Sequence, residues 1–350
     1  MPSPQPPQFR LGAFVVIAAV LGGSAAAFAY TAGWFSPERL SRERVLAALS
    51  PPAGPAPGHR RNHVTGLCFT GTFEANGAGA ALSRASLLAA GSYPVIGRLN
   101  LGTADISEPE GKPRVRGLSL RITAPDGAEW RTAMINAPVF PVSTPEAFLA
   151  LLQAAGSKEP GALPAFAAAH PEIAGFGAWA GGGPWTASYA EERYNGLNAF
   201  IFTDAGGNDH AVRWSMRPQA QPVPVAAAEL ASRAPDFLDR EIRTRLAAGP
   251  VRWTMTVTVA EPGDPVADPS KAWPESRRTL EVGTLTVQAL QAEPDGPCRD
   301  INYDPTVLPP GMRTSADPFP AARSSAYALS FRRRAAEAAQ YPHTPAGARP

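Results

Sequence analysis

The stretch RSSAYALSFRRR places Arg323, Tyr327 and Arg334 four and then seven residues apart. If the segment is helical, at ~100° per residue the three side chains fall within about 40° of one another, on a single stripe. An arginine one turn from a tyrosine favours phenolate over phenol, because a nearby cation stabilises the anion. Phenolate oxygen is a ligand for ferric haem. An ordinary amphipathic helix with a half-buried tyrosine shows the same spacing. Far upstream, RNHVTG holds His63, one of five histidines, just after a proline-rich linker and just before an alternating run. An imidazole there is a proton shuttle if it faces a reacting group and a solvated side chain if it faces water. His59, His170, His210 and His343 fall in linker, helix, hairpin and tail contexts and carry no such expectation. Cys68 and Cys298 are the only cysteines, too few for a disulfide framework and wrongly spaced for a zinc site. They are either separately buried or joined in one bridge, which would imply an oxidising compartment.

The elements that must carry these residues follow from periodicity. VTGLCFTGTFEA, PVIGRLNLG, GLSLRITAPDG and EWRTAMINAPVF alternate as strands of an antiparallel meander. Residues 145–175 change to helical spacing, and AGGGPW after them reads as a loop. NAFIFTDAGGNDHAVRWSM is a hairpin around a Gly-Gly turn. Helices are expected at about 224–248, then strands in VRWTMTVTVAE and TLEVGTLTVQAL, and a last helix over roughly Pro318 to Gln340. Eight strands in a four-plus-four arrangement predict a small closed barrel with room for one ligand.

A hydrophobic content of 44% excludes disorder throughout. Lys plus Arg, at 32, nearly balances Asp plus Glu, at 30, and the basic residues are dispersed, so nucleic acid is not an expected partner. Residues 11–33 carry no charge and would reach ~35 Å as a helix, enough to cross a bilayer. A cleaved signal peptide is the competing reading, since Ala27-Phe28-Ala29 fits an A-x-A site, although the apolar run is long for one. Arg10 precedes the segment and Arg39, Arg42 and Arg44 follow it, a count that by itself leaves the C-terminal part in the cytoplasm. Ser36-Pro37-Glu38 reads as the start of a short helix through about Leu49, followed by a flexible PPAGPAPG stalk.

The order of segments adds a resemblance. RNHVTGLCFTGTFEA resembles the distal-histidine strand of haem catalases, GRLNLG and RVRGLSLRI the two arginine-bearing strands that follow, and INAPVFPVSTPEAF the distal asparagine and phenylalanine segment. DPSKAWPESRRTLEVGTLTV, INYDPTVLPPGM and RSSAYALSFRRR resemble the late-barrel and proximal-tyrosine segments, in the same order. Over about residues 60–335 the chain is similar to the catalase-related peroxidases, the short membrane-anchored branch of the haem catalase family, in which tyrosine ligates the iron.

The resemblance implies an α+β fold: an eight-stranded antiparallel β-barrel with helical insertions, a catalase-like core, plus an N-terminal transmembrane helix. It implies a tail over 1–10, an anchor over 11–33, a short helix and linker over 34–59, a haem domain over 60–340 and a disordered tail over 341–350. The implied cofactor is b-type haem, with Tyr327 as the iron ligand and Arg323 beside it. Arg60, Arg98 and Arg334 match positions that hold haem propionates, and Phe140 and Phe148 match pocket aromatics. His63 matches the distal acid–base. Asn136 matches the second of two adjacent asparagines, with Ile135 at the first, so a regular strand would aim Asn136 out of the pocket. Thr65 stands where larger basic side chains are common, and Asn100 where a serine commonly orients the histidine.

The implied activity is reduction of organic hydroperoxides, hydrogen peroxide, or both, at the expense of a small reducing co-substrate. The expected setting is a bacterial-type inner membrane, crossed once, with the domain on the periplasmic side. The long arm, wrapping segment and C-terminal helical domain of large catalases have no counterpart, which implies a more open pocket. The alternative is a membrane-anchored barrel that binds haem or another hydrophobic ligand without turnover.

Overall fold

In the computed structural model, which describes residues 11–31 and 40–337, the alternating runs become a sheet that closes on itself. β1 (Gly66–Ala75), β2 (Gly91–Leu101), β3 (Arg116–Thr123) and β4 (Glu129–Ile135) form one antiparallel meander. β5 (Tyr194–Thr203), β6 (Asp209–Pro218), β7 (Val251–Val259) and β8 (Thr279–Ala292) form another. β8 pairs with β1, and the pairing of Ile135 with Asn195 joins β4 to β5, so eight strands complete a barrel. Register shifts at Thr70/Gly71 and Met255/Thr256 supply the local bends that closure needs. A ninth strand, β9 (Met312–Thr314), pairs with Phe200–Phe202 of β5. At three residues it is too short to leave a periodic signal.

Every second residue points inward. Leu67, Phe69 and Phe73, then Val95 and Leu99, then Leu118, Leu120 and Ile122 join Trp130, Trp214, Trp253 and Phe202 in one cluster. Trp130 meets Trp214 edge-on at 5.0 Å between ring centroids, a favourable aromatic geometry. This corrects the expectation of a barrel with room for a ligand: large aromatics fill the interior.

Three helices separate β4 from β5: α3 (Pro145–Ala155), α4 (Ala162–Ala169) and α5 (Ile173–Gly182). Thr144 caps α3 by accepting from the Ala147 N–H at 3.2 Å. The expectation that AGGGPW is all loop is corrected, since α5 runs through its first three residues. Gly183 N–H donates to Trp179 O at 3.0 Å, and Pro184 then ends the helix. α6 (Ala227–Ala231) and α7 (Phe237–Ala248) precede β7, and α8 (Phe319–Ala336) follows β9.

α2 (Arg42–Ala48) packs against α8 and α3. It begins at Arg42, after non-helical Leu40 and Ser41, while the proposed cap at Ser36 lies outside the described residues, as does the tail over 341–350. α1 (Leu11–Thr31) lies in a separate unit that ends at Ser41, and its Phe14–Thr31 window is long and apolar enough to cross a membrane. Cys68 on β1 and Cys298 after β8 form a disulfide with a Cα–Cα distance of 5.3 Å.

Candidate active site

Alternation that sends Leu99 and Leu118 inward sends Arg98, Asn100, Gly117 and Ser119 outward. α8 lies on that outer face, where Arg323 Nη2 donates to Ala133 O of β4 at 2.9 Å. The candidate site is built between strands β1–β4 and this helix. Two glycines make room for neighbouring side chains on the strand side: a Cβ on Gly66 would stand 2.4 Å from Arg98 Cζ, and one on Gly117 would stand 2.2 Å from Asn100 Oδ1.

His63 sits in the segment leading into β1, half-buried, with φ of 53°. It is the one non-glycine residue among those described with a left-handed backbone, a conformation that surrounding contacts must hold. Its N–H donates to Asn62 Oδ1 at 2.9 Å, and its carbonyl accepts from Arg98 Nη2 at 2.8 Å. Burial, then the Arg98 charge, pushes the imidazole down to about 4; Asn100 pulls the other way, and Arg323 and Arg60 add to the depression. Asn100 is a close neighbour whose contact is not a closed bond to Nδ1, which finds no partner within hydrogen-bond distance. The ring is therefore neutral at ordinary pH.

On the helix side, Arg323 donates to the Tyr327 hydroxyl from Nη2 at 3.2 Å and from Nε at 3.4 Å. Its Nη1 donates to Asn198 Oδ1 at 2.7 Å, and Asn198 Nδ2 donates to Asp317 Oδ2 at 2.9 Å. Asp317 also accepts the backbone N–H of Phe319, the first residue of α8, and burial raises its carboxyl above the usual range. Tyr327 thus stands at the end of a chain of side chains rooted in β5 and in the start of its own helix. Phe140 and Phe148, partly buried, pack with buried Phe319, with Phe140 centred 5.2 Å from Phe148 and 4.8 Å from Phe319.

The structure brings Arg60, Arg98 and Arg334 together around a residue that periodicity does not single out, Glu293. Arg98 grips it with Nε–Oε1 at 2.8 Å and Nη2–Oε2 at 2.6 Å, and Arg60 makes a further ion pair with it. The Arg60 guanidinium also donates to the Cys298 and Ile301 carbonyls, both at 3.0 Å. Arg334 is buried against the Phe331 ring, and the Arg98, Arg60 and Arg334 charges hold the Glu293 carboxyl down against the upward push of burial. Three guanidinium groups around one buried carboxylate leave a positive excess of two, which suits a dianion. That excess fits a group bearing two carboxylates, as haem does.

Asn136 is engaged with the neighbouring strand. Its Oδ1 accepts from the Arg116 N–H at 2.9 Å and its Nδ2 donates to Arg114 O at 3.3 Å, so the amide extends the β3–β4 ladder. Periodicity also passed over Asn198 and Asp317. An asparagine between apolar neighbours in a strand was the available signal for Asn198; Glu293 had none, because its partners come from distant segments.

The catalase family model matches residues 57–346. The chain belongs to the catalase family. It is 34% identical over 306 residues to a catalase-related peroxidase of Synechococcus elongatus, covering 86% of this chain and 90% of that one. A catalase-related peroxidase of Mycolicibacterium paratuberculosis is 32% identical over 298 residues, covering 84% and 95%. Among solved structures, a bacterial catalase superposes with a TM-score of 0.69 at 20% identity and a fungal catalase with 0.69 at 17%, each over 79% of this chain. The chain spans only 57% and 59% of the length of those two catalases, and the likeness establishes the catalase fold.

Proposed function

We propose that this catalase-family chain is a haem-dependent peroxidase, reducing organic hydroperoxides, hydrogen peroxide, or both, with a small reducing co-substrate. Tyr327 would hold the iron of a b-type haem, with Arg323 hydrogen-bonded to its oxygen. Arg60, Arg98 and Arg334 would bind the two propionates, and Arg98 Nη1 has no protein partner among the described residues. Phe140 and Phe148 would flank the ring. Haem iron supplies the redox chemistry that cleaves an O–O bond.

The observation that carries this reading is the left-handed His63, tied through its carbonyl to Arg98 on the strand side, with Arg323 bonded to Tyr327 on the helix side. A neutral imidazole can take the proton from an incoming peroxide ROOH and return it to the departing RO oxygen, which leaves as the alcohol, or as water when R is hydrogen. The guanidinium groups around it keep the ring from holding that proton too long. A binding protein without turnover would leave the left-handed His63 without a task.

The α1 helix supports membrane attachment, and the Cys68–Cys298 disulfide supports the periplasmic side of an inner membrane. The test is the absorption spectrum of the full chain, with and without added peroxide. A ferric haem band that changes on peroxide addition is expected; a colourless protein overturns the proposal. Tyr327→Phe is expected to lose haem or to shift its band, and an unchanged spectrum would remove Tyr327 as ligand.

A further inference from the structure

We infer that Glu293 is a positioning residue: acting through Arg98, it holds the His63 segment in the backbone conformation that presents the imidazole to the site. The inference rests on the reading of His63 as the proton-transferring group.

A left-handed backbone at a residue with a Cβ costs ~1–3 kcal/mol, so something must hold it. Both faces of the His63 residue are held, the N–H by Asn62 and the carbonyl by Arg98 Nη2. The first contact is local and moves with the segment. The second comes from β2 and ties the segment to the barrel. Arginine has a long, flexible stem, and a lone hydrogen bond would not fix it. What fixes Arg98 is the two-point fork onto Glu293, a geometry that sets the plane of the guanidinium as well as its place. The bare Gly66 backbone lets that plane lie flat over β1.

Glu293 is itself anchored. It is 4% exposed and opens a 3₁₀ turn directly after β8. Arg60 bonds both to it and to the Cys298 carbonyl, in the segment that the disulfide ties to β1. The line of restraint runs from the disulfide-tied segment through Glu293 and Arg98 to the His63 carbonyl. A mere counter-ion for buried arginines would not need the fork to share Nη2 with that carbonyl.

Two variants of the full chain test this. Glu293→Gln removes the charge and half of the fork. Gly66→Ala leaves every charge in place and pushes the far end of Arg98 aside. In haem-free protein, the ¹H–¹⁵N signals of the His63 imidazole, assigned with His63→Ala, are expected to shift or split in both variants, while the Trp130 and Trp253 indole signals stay put. In haem-loaded protein, the rate of reaction with hydrogen peroxide per haem is expected to fall ~10²-fold, as for a displaced catalytic group. If both variants keep the wild-type His63 signals and the wild-type rate per haem, Glu293 is only a counter-ion and the inference fails, whatever happens to stability. If Glu293→Gln does not fold, Gly66→Ala decides alone. A wild-type chain without peroxide chemistry would sink the functional reading, and the imidazole signals of the haem-free variants would still decide whether Glu293 holds His63.

Discussion

His63 and Asn136 both come from segments that resemble the distal side of a catalase, yet their surroundings differ. His63→Ala is expected to retain haem and lose ~10²–10⁴-fold in the rate of reaction with peroxide, the usual share of a positioned acid–base group. Asn136→Ala is expected to change that rate little and to cost ~1–3 kcal/mol in stability, because it strands the buried Arg116 N–H. Rapid mixing and denaturant unfolding of the two variants separate the roles. The imidazole also sets a pH dependence. A base must be uncharged to work, and His63 binds its proton only near pH 4, so the peroxide rate is expected to be flat across neutral pH and to fall as pH drops through about 4. Its lowered affinity has a stability counterpart with a worked sign. Between 6.5 and about 4 the unfolded chain binds the proton and the folded chain does not, so this contribution to stability is present above 6.5 and is lost as pH falls through that window.

At the level of elements, α8 is fastened at both ends. Its start is tied through Asp317 and Asn198 to β5, and its end through Glu337, which pairs with Arg61 at 2.6 Å and accepts the Gly58 N–H at 2.8 Å. Arg61, two residues before His63, has a side chain only 3% exposed, whereas Glu337 is 30% exposed. Glu337→Gln is expected to cost about 1–3 kcal/mol, less than for a fully buried pair, in a denaturant titration. This fastening was not legible in the sequence, whereas β1 to β8 were, because strand alternation is local and each apolar run announces its own face. The stripe of Arg323, Tyr327 and Arg334 was legible for the same reason. Glu293 and the Asn198–Asp317 link were not, since their meaning lies in partners brought together by closure of the barrel. The filled interior was missed because alternation says which side chains face inward and nothing about whether their volumes leave a gap.

For the whole molecule, the disulfide joins residues separated by 230 positions and ties the first strand to the segment beyond the eighth. Its reduction is expected to lower stability by ~2–5 kcal/mol. Thermal melts with and without reductant measure this, and thiol titration of denatured, unreduced protein should find no free cysteine. α1 leads to an expectation on the same scale: the full chain should sediment with membranes and be released by detergent and not by high salt, whereas recovery in the soluble fraction would mark α1 as a removed leader. His63 precedes the first strand of the barrel, and Tyr327 follows the last. During synthesis the whole barrel therefore leaves the ribosome before the second wall of the site exists. If the chain carries haem as proposed, a chain interrupted ahead of α8 would close its sheet and lack Tyr327. Loading would then wait for α8, and the supply of haem in the compartment where the chain folds would govern how much of the protein becomes enzyme.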